Sequence, residues 1–240
     1  MKKKHILLAI VLMLLSYSLG FISYHLKLPP FETVLNVKEH FSKNEAKNPG
    51  DNYIKEKMSF FNRFNPQGKV AFVGDSLTNG SEWYEIFKSD DIVNLGVGWN
   101  TITNISKDPT YITNTHAKTV FIMGGVNDFN VMGYDVASVF NSYKKLITHL
   151  NNNNVKIYIQ STLLTRRGDE LNDKIKKLNL ALSEFCFKTI QCEFIDINKG
   201  MAIDGSLIEK YTLDGIHLNG DGYYAWISQI KDYVNNSLEH

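Results

Sequence analysis

The fold is decided by the stretch VAFVGDSLTNG at residues 70–80. A β-branched and aromatic run comes first, stops at Gly74-Asp75-Ser76 and then becomes polar. This pattern is typical of a buried strand that ends in an exposed turn. In an open α/β sheet the carboxyl ends of the strands border the crevice where ligands bind, so Ser76 is a candidate nucleophile. A serine after a strand can also simply cap the next helix, so the assignment depends on partners elsewhere in the chain.

Strand and helix patterns alternate along the rest of the chain. Apolar runs predict strands at 92–95, 119–123, 155–161 and 193–197, and amphipathic segments predict helices at 81–88, 101–115, 134–151, 169–189 and 221–235. Strand followed by helix, repeated, predicts an α/β domain with a central parallel sheet. Right-handed crossovers then gather the strand ends, and with them Ser76, Gly96 and Asn127, along one edge of the sheet.

Partners for the serine lie near the C-terminus. A catalytic serine needs a base to take its proton and a carboxylate to orient that base. The sequence TLDGIHLN at residues 212–219 places Asp214 and His217 three residues apart. Asp214 can therefore hold the His217 ring while the other ring nitrogen faces Ser76. Taken alone, His217 is more often a histidine of a surface loop than a catalytic base.

Four sequence blocks carry a resemblance to a known family. They are GDSL at 74–77, NLG at 94–96, GVND at 125–128 and DGIH at 214–217. In order and spacing they resemble the four blocks of the SGNH (GDSL) hydrolase superfamily, over roughly residues 69–234. The stretch GDSLTNGSEW, which includes Trp83, looks most like the acetylhydrolase-type members, among which are carbohydrate O-acetyl esterases.

The resemblance implies a fold and a set of roles. The expected fold is the flavodoxin-like three-layer α/β/α sandwich with a central parallel sheet of about five strands. Ser76 would be the nucleophile, His217 the base and Asp214 the residue that orients it. Gly96 and Asn127 would join the Ser76 backbone N–H in the oxyanion hole, although they can also be read as a turn glycine and a turn or cap residue.

One block departs from the family pattern. The segment NLGVGWNT at 94–101 lacks the usual spacing between its glycines. This leaves Gly96 as the better oxyanion candidate and predicts an unusual shape for the loop around Trp99. The α/β-hydrolase elbow Gly-x-Ser-x-Gly is excluded because Thr78 stands where that motif needs glycine.

Substrate-binding residues are expected in the loops beside the motifs. The candidates are Asp75, Trp83, Trp99 and Phe129. The three aromatic side chains can stack on a sugar or line a short acyl pocket, although aromatic residues pack in cores as often. The predicted function is a serine esterase that removes or transfers O-acetyl groups on cell-envelope or extracellular carbohydrate. A lysophospholipase or acyl thioesterase is the alternative. A non-catalytic surface binding module is a second alternative, against which the intact set of serine, aspartate and histidine argues.

The N-terminus predicts where the protein works. Three lysines at 2–4 precede an apolar run from Ile6 to about Tyr24, which is roughly the length that crosses a bilayer core. Residues 1–27 are therefore expected to form a single membrane anchor with the catalytic domain outside the cytoplasm. A cleaved signal peptide, giving a secreted protein, is the alternative.

The remaining boundaries follow from composition. Residues 28–68 are polar and proline-punctuated and predict a stalk, with short helical pieces expected around 31–41 and 53–64. In the second piece, Ile54, Met58 and Phe61 are expected to contact the catalytic domain, which is predicted at 69–237. Leu238-Glu239-His240 is interpreted as a cloning remnant.

Charge and cysteine usage restrict the partners. A net charge of +1 without a basic stripe argues against nucleic acid, and the 43% hydrophobic content fits one core. Cys186 and Cys192 can form a disulfide or remain separate buried thiols. No cofactor and no metal site are predicted, because no Cys-x-x-Cys or histidine pair is present at ligand spacing. The expected partners are an acylated small molecule or glycan and the membrane, and the oligomeric state stays open.

Overall fold

The computed structural model describes residues 2–26 and 48–239, with the side chains of the first helix described for His5 and residues 11–25. The chain divides into two compact units, Met1–Lys47 and Asn48–His240. The first unit contains helix α1 (Lys2–Leu26). The second contains all five strands of the main sheet and the candidate active site.

Helix α1 covers the segment for which a membrane anchor is predicted. Within the described residues, no helix is long and apolar enough to cross a membrane. The side chains of residues 6–10 in this helix lie outside the described part of the chain, and the single membrane anchor at residues 1–27 stays a prediction. The helical piece expected at 31–41 also lies outside the described residues.

The main sheet is parallel, as the alternating pattern predicts. Its strands, in chain order, are β1 (Val70–Gly74), β2 (Ile92–Gly96), β3 (Thr119–Met123), β4 (Lys156–Gln160) and β5 (Cys192–Ile195). They are arranged β2-β1-β3-β4-β5, and every neighbouring pair is parallel. Gly74 is in register with Gly96 on one side and with Met123 on the other. The loops that follow β1, β2 and β3 therefore begin level with one another at one edge.

Helices flank the sheet. They are α2 (Asp51–Phe64), α3 (Ser76–Asn79), α4 (Trp83–Phe87), α5 (Ile102–Ile105), α6 (Thr110–Thr113), α7 (Val126–Asn130), α8 (Val136–Asn152), α9 (Asp169–Phe187), α10 (Asn198–Met201) and α11 (Gly220–Glu239). A short hairpin of β6 (Ala202–Ile203) and β7 (Ser206–Leu207) and a 3-10 turn at Glu209–Tyr211 precede α11.

Alternate residues of the strands pack into two separate cores. In β1, Ala71 and Val73 belong to the core shared with α8 and α9, whereas Val70 and Phe72 belong to the core shared with α4 and α11. Because successive strand side chains point to opposite faces, the two cores lie on the two faces of the sheet. The architecture is thus the expected three-layer sandwich with a five-stranded parallel sheet.

One predicted helix is wrong. The single helix expected at 101–115 is two short helices, α5 and α6, separated by Ser106-Lys107-Asp108-Pro109. The residue before a proline is disfavoured in the helical region, and the proline itself has no N–H to donate. The break at Pro109 follows from both effects.

The segment expected to be a stalk contributes to the domain. Helix α2 buries Ile54 and Phe61 in the core, with Met58 partly buried against it. The Phe61 ring stacks on Tyr111 at a centroid distance of 5.8 Å. The compact unit begins at Asn48, so residues 48–68 belong to the same unit as the sheet.

The cysteines and the C-terminus complete the unit. Cys186 and Cys192 are bridged, which joins the end of α9 to the start of β5. The residues interpreted as a cloning remnant continue α11 as far as Glu239. Leu238 packs against the core, and its carbonyl accepts a hydrogen bond from Lys69 Nζ at 3.1 Å.

Candidate active site

Ser76 lies where β1 ends and α3 begins. The buried Asp75 caps this helix, since its Oδ1 accepts a hydrogen bond from the Leu77 N–H at 3.0 Å. Ser76 Oγ is 3.0 Å from His217 Nε2. The Ser76 N–H occupies the first helical position, where backbone donors have no partner within the helix, and it is therefore an oxyanion-donor candidate.

His217 is oriented by a carboxylate that is itself fixed. Its Nδ1 is 2.7 Å from Asp214 Oδ2, and Asp214 Oδ1 accepts the backbone N–H groups of Ile216 at 2.9 Å and His217 at 2.8 Å. Partial burial raises the pKa of Asp214, but the hydrogen bonds from the His217 ring and from these two N–H groups outweigh it, so the pKa lies well below its usual range. A charged Asp214 keeps the proton of neutral His217 on Nδ1 and leaves Nε2 to accept from Ser76.

Asn127 supplies a side-chain donor next to the serine. It lies in α7, directly after β3, and lines the same cavity as Ser76. Its Nδ2 donates to the Asn100 carbonyl at 3.0 Å. A primary amide carries two N–H groups, so one holds the side chain in place and the other can serve an oxyanion.

Gly96 does not occupy the position predicted for it. Its N–H donates to Asn94 Oδ1 at 2.9 Å, and it is absent from the residues that line the catalytic cavity. A Cβ at Gly96 would lie 2.2 Å from the Asn79 backbone nitrogen, so glycine is needed there for the close approach of β2 to α3. The oxyanion role predicted for Gly96 is therefore corrected to a packing role.

Trp99 lines the cavity from the same loop. The Asn100 N–H donates to the Val97 carbonyl at 3.1 Å, and Trp99 inside this turn has a positive φ of 66°. Trp99 is 48% exposed and forms part of the cavity wall. The unusual loop shape expected from the missing glycine spacing is thus a tight turn that presents a tryptophan to the cavity.

The other predicted substrate-binding residues are buried. Trp83 is 1% exposed, stacks on Phe72 with ring centroids 3.8 Å apart, and donates from Nε1 to the Thr78 carbonyl at 3.0 Å. Phe129 is also a core residue, although it reaches a neighbouring cavity. Asp75 is the helix cap already described. These three assignments are corrected, because motif loops place side chains towards the core as well as towards solvent.

Two buried carboxylates support the loops. Burial raises the pKa of Asp75 to about 7, with a further increase from Asp128 and opposing effects from the Leu77 N–H and His217. The Asp75 Oδ2 atom has no hydrogen-bond partner among the described residues. Burial also raises the pKa of Asp128, which accepts the Thr103 hydroxyl at 2.7 Å and the backbone N–H groups of Ile102 and Thr103. Asp128 thereby ties α7 to the start of α5.

The cavity at this site has a volume of about 380 Å³. The residues that line it are Ser76, Trp99, Asn127, Asn130, Val131, Arg167, Asp214, Ile216 and His217. Sequence reasoning missed the wall residues Asn130, Val131, Arg167 and Ile216. The position of Arg167 in the loop after β4, at the same edge of the sheet, is the signal that could have found it. In the described ranges, no cluster of three or more His, Cys, Asp or Glu side chains could hold a metal ion.

Comparison with known proteins gives a family and a set of curated relatives. Residues 72–225 match the model of the GDSL-like lipase/acylhydrolase family. N-acylneuraminate cytidylyltransferase from Streptococcus agalactiae serotype V is 26% identical over 203 residues, which cover 84% of this chain and 47% of that protein. The enzyme of the same name from Escherichia coli O18:K1:H7 is 28% identical over 200 residues, or 76% of this chain and 43% of its own. The chain spans about half the length of these relatives.

Solved structures share the fold. A GDSL-like lipase from Bacteroides thetaiotaomicron superposes with a TM-score of 0.65 at 21% identity, covering 80% of this chain and 99% of that one. A carbohydrate esterase family 3 protein from Talaromyces cellulolyticus superposes with a TM-score of 0.58 at 19% identity, covering 72% and 99%. At these identities the similarity establishes the three-layer architecture.

Proposed function

The chain belongs to the GDSL-like lipase/acylhydrolase family, and we propose that it is a serine esterase whose substrates are O-acetylated carbohydrates. The reaction would proceed through an acetyl-enzyme on Ser76. Water then completes hydrolysis, or a second sugar hydroxyl completes transfer, since both can resolve the same intermediate.

A single observation carries the proposed catalytic roles. Ser76 Oγ, the His217 ring and the Asp214 carboxylate form a continuous chain of contacts at 3.0 Å and 2.7 Å, and all three residues line one cavity. The arrangement has the distances that a nucleophile, a base and its orienting group require. Asn127 lines the same cavity, which supports it as the oxyanion donor.

The proposed steps use these groups in turn. Ser76 Oγ attacks the acetyl carbonyl carbon while His217 Nε2 takes the hydroxyl proton, and Asp214 stabilises the imidazolium that forms. The Ser76 N–H and the Asn127 amide stabilise the oxyanion of the tetrahedral intermediate. The carbon–oxygen bond to the sugar then breaks, and His217 returns the proton to the departing sugar oxygen. Attack by water, with His217 again as base, releases acetate and restores Ser76.

The cavity wall favours a short acyl group on a polar alcohol. Asn130 and Arg167 offer hydrogen bonds to hydroxyls or anions, and Trp99 offers an exposed indole for stacking on a sugar ring. A long acyl chain needs a long, continuous apolar wall, and in this cavity of about 380 Å³ the apolar residues Trp99, Val131 and Ile216 share the wall with six polar residues. These features favour acetyl esters of sugars over lysophospholipids.

The relatives point in the same direction. The curated relatives are named for an enzyme of N-acylneuraminate, which is a sugar acid, and one solved structure of the same fold is described as a carbohydrate esterase. Because the chain spans only about half of those curated relatives, their cytidylyltransferase activity does not enter the proposal. From these relatives we take only the proposal that the alcohol of the ester is a sugar.

A chain-length series of p-nitrophenyl esters tests the acyl preference. Wild type should hydrolyse the acetate best and lose kcat/KM as the acyl chain lengthens, and acetylated glycans should release acetate. A kcat/KM that rises with chain length would favour the lysophospholipase or thioesterase alternative. Ser76→Ala with the same esters is the control, since activity that survives it would come from a contaminant or from another residue.

We also propose that the N-terminal segment exports the catalytic unit, either as an anchor or as a cleaved signal. Large apolar side chains from Val11 to Tyr24 are exposed on α1, and a disulfide joins Cys186 to Cys192, as is common in oxidising compartments. Protease added to intact cells should then digest the catalytic unit. Full protection of the chain in intact cells, together with cleavage after lysis, would contradict the proposed location.

A further inference from the structure

A positively charged side chain stands in the wall of the catalytic cavity. Arg167 lines this cavity, and it also lines a neighbouring cavity of about 330 Å³ with Phe129, Asn130 and the start of α9. Asn130 and Arg167 are the residues that the two cavities share, so they mark the boundary between them.

The charge of Arg167 is not neutralised within the described residues. The adjacent Arg166 pairs with Glu209 at 3.4 Å, whereas Arg167 has no carboxylate at ion-pair distance in the described part of the chain. Asp214, the carboxylate of the catalytic cavity, is hydrogen-bonded instead to the His217 ring, with Oδ2 2.7 Å from Nδ1. A guanidinium can donate two parallel N–H hydrogen bonds to the oxygens of a carboxylate or phosphate. An unpaired guanidinium beside a catalytic cavity is therefore suited to bind such a group on the substrate.

Acidic residues limit where an anion can sit. Asp169 and Glu170 line the neighbouring cavity, and Glu170 pairs with Lys174 at 3.0 Å. An anion deep in that cavity would approach the Asp169 carboxylate. The favourable position is therefore at Arg167, on the side that faces Ser76.

We propose that Arg167 binds a carboxylate on the alcohol part of the substrate, so that the enzyme acts on O-acetylated sugar acids. This inference rests on the proposed function, because it identifies the sugar whose oxygen leaves the acetyl carbon when the acetyl-enzyme forms on Ser76. The carboxylate does not change during acetyl transfer, so Arg167 stabilises bound substrate and transition state alike. Loss of Arg167 should therefore appear mainly in KM and far less in kcat.

A matched pair of substrates isolates the carboxylate. Acetate release would be measured from an O-acetylated sugar acid and from its carboxyl methyl ester, with wild type and Arg167→Gln. Wild type should have the lower KM for the acid, and the variant should raise that KM by roughly 10- to 100-fold, as expected for a charge-assisted hydrogen bond. The KM for the methyl ester should change much less, so the preference for the acid should disappear.

The control removes the same charge from the same region. Lys177 is exposed on α9 and belongs to neither cavity, so Lys177→Gln should keep the wild-type preference. Equal KM values for acid and methyl ester in wild type, unchanged in Arg167→Gln, would overturn the carboxylate site and leave the esterase proposal intact. Failure of wild type to release acetate from either sugar, despite hydrolysis of p-nitrophenyl acetate, would overturn both.

A second, independent observation concerns the segment before α2. Asn48 is 7% exposed, and its Nδ2 donates to the Trp99 carbonyl at 2.7 Å, while its Oδ1 accepts the Gly50 N–H at 2.8 Å. A Cβ at Gly50 would lie 2.2 Å from the Trp99 Cβ. Residues 48–50 therefore pack directly on the turn that forms one wall of the cavity.

This contact connects to the proposed oxyanion donor. Asn100 follows Trp99, and its carbonyl holds the Asn127 amide at 3.0 Å. The geometry points to Asn48 as a positioning residue, which fixes the Trp99 turn and, through Asn100, the Asn127 amide. Its effect on catalysis should therefore depend on Asn127.

A double-mutant cycle tests this dependence. Asn48→Asp keeps an acceptor for the Gly50 N–H and removes the donor to Trp99, and it should lower kcat for p-nitrophenyl acetate by about tenfold, the value of a typical buried hydrogen bond. In an Asn127→Ala background the same change should lower kcat by less than about twofold, because the group being positioned is gone. The KM should move little in either background.

The exposed Asn52 provides the control for the added charge, since Asn52→Asp makes the same substitution four residues away. Equal kcat losses from Asn48→Asp with and without Asn127 would overturn the positioning role. So would a kcat unchanged by Asn48→Asp in a protein that is still folded by thermal unfolding.

Discussion

The two walls of the catalytic cavity are built in different ways. The nucleophile wall, which we define as residues 75–79 and 125–130, is rooted in the core: Asp75 and Leu77 are 1% and 2% exposed and Asp128 is fully buried. The base loop, residues 212–219, lies at the surface, where the side chains of His217 and Asp214 are 55% and 43% exposed. The proposed reaction would therefore join a buried wall to an exposed loop.

The difference lies in what fixes each wall. The nucleophile wall is positioned by the register of β1, β2 and β3, which brings residues distant in sequence to one level. The base loop is held by its own hydrogen bonds, in which Thr212 Oγ1 donates to the His217 carbonyl at 2.6 Å and accepts the Gly215 N–H at 2.9 Å. The sheet therefore determines the position of the nucleophile, and short-range contacts determine the geometry of the base.

The largest effect should come from removing one catalytic group from either wall. Ser76→Ala and His217→Ala should each lower kcat/KM for p-nitrophenyl acetate by more than about 10⁴-fold, because nucleophile and base act as a unit. The thermal midpoint should stay close to that of wild type, since Ser76 is only partly buried and His217 is exposed. Kinetics and thermal unfolding on the same preparation measure both.

The double variant sharpens this expectation. Ser76→Ala with His217→Ala should be no less active than either single variant, because the second loss removes nothing that still works. Multiplicative losses would mean that the two walls contribute independently and would contradict a joint role.

The buried wall should lose stability as the pH rises, whereas the low pKa of Asp214 gives the exposed loop a stability that is lost only as the pH falls below the usual range of an aspartate. Burial holds the pKa of Asp75 at about 7, so between about pH 4 and 7 the folded state keeps a proton that the unfolded chain has released. Raising the pH through this window therefore lowers the free energy of unfolding, by an amount on the order of 4 kcal/mol. Asp75→Asn should weaken that dependence in urea unfolding between pH 4 and 8, and the part that remains should come from Asp128, whose pKa burial also raises.

The exposed Asp90→Asn serves as the control for this experiment and should keep the wild-type slope. Parallel pH profiles for wild type and Asp75→Asn would contradict the assignment of the slope to Asp75.

The amide of the nucleophile wall should matter for turnover. Asn127→Ala should lower kcat by roughly 10²- to 10³-fold, or about 3 to 4 kcal/mol of transition-state stabilisation, with little change in KM. Asn130→Ala, an exposed residue of the same helix and cavity, should change kcat much less. A near wild-type kcat with a lowered thermal midpoint in Asn127→Ala would reduce Asn127 to a structural residue.

The smallest effect should come from the local bonds of the base loop. Thr212→Val keeps the shape of the side chain and removes two hydrogen bonds, so it should lower the free energy of unfolding by about 1 kcal/mol. The kcat should fall only a few fold, since the two backbone bonds to Asp214 remain. A kcat loss as large as that of His217→Ala would show that Thr212 alone holds the loop.

The same contrast explains what could be predicted from the sequence. The strands at 70–74 and 119–123 were predictable because both faces are buried, which requires continuous apolar runs. The base loop was predictable because Asp214 and His217 meet within a few residues. The buried Trp83 was wrongly placed at the substrate, since a sequence motif gives proximity in the chain and not the direction of a side chain.

Long-range contacts account for the rest. The role of Gly96 depends on the approach of α3 to the end of β2, and the turn at Trp99 depends on Asn48, 51 residues earlier. Arg167 reaches the cavity only because β4 lies beside β3 in the sheet. The contacts of Gly96 and Asn48 have no local sequence signal, and the position of Arg167 after β4 indicates only the edge of the sheet at which it lies, so the partners of all three needed the three-dimensional structure.

The central claim is that Ser76 and His217 act as one nucleophilic unit, and covalent labelling with a fluorophosphonate tests it most directly. Intact-mass measurement should show one adduct per chain, and peptide mapping should place it on Ser76. The adduct should form far more slowly in His217→Ala, where the base is missing, while this variant stays folded. An adduct on another residue, or rapid labelling of Ser76 without His217, would contradict the account.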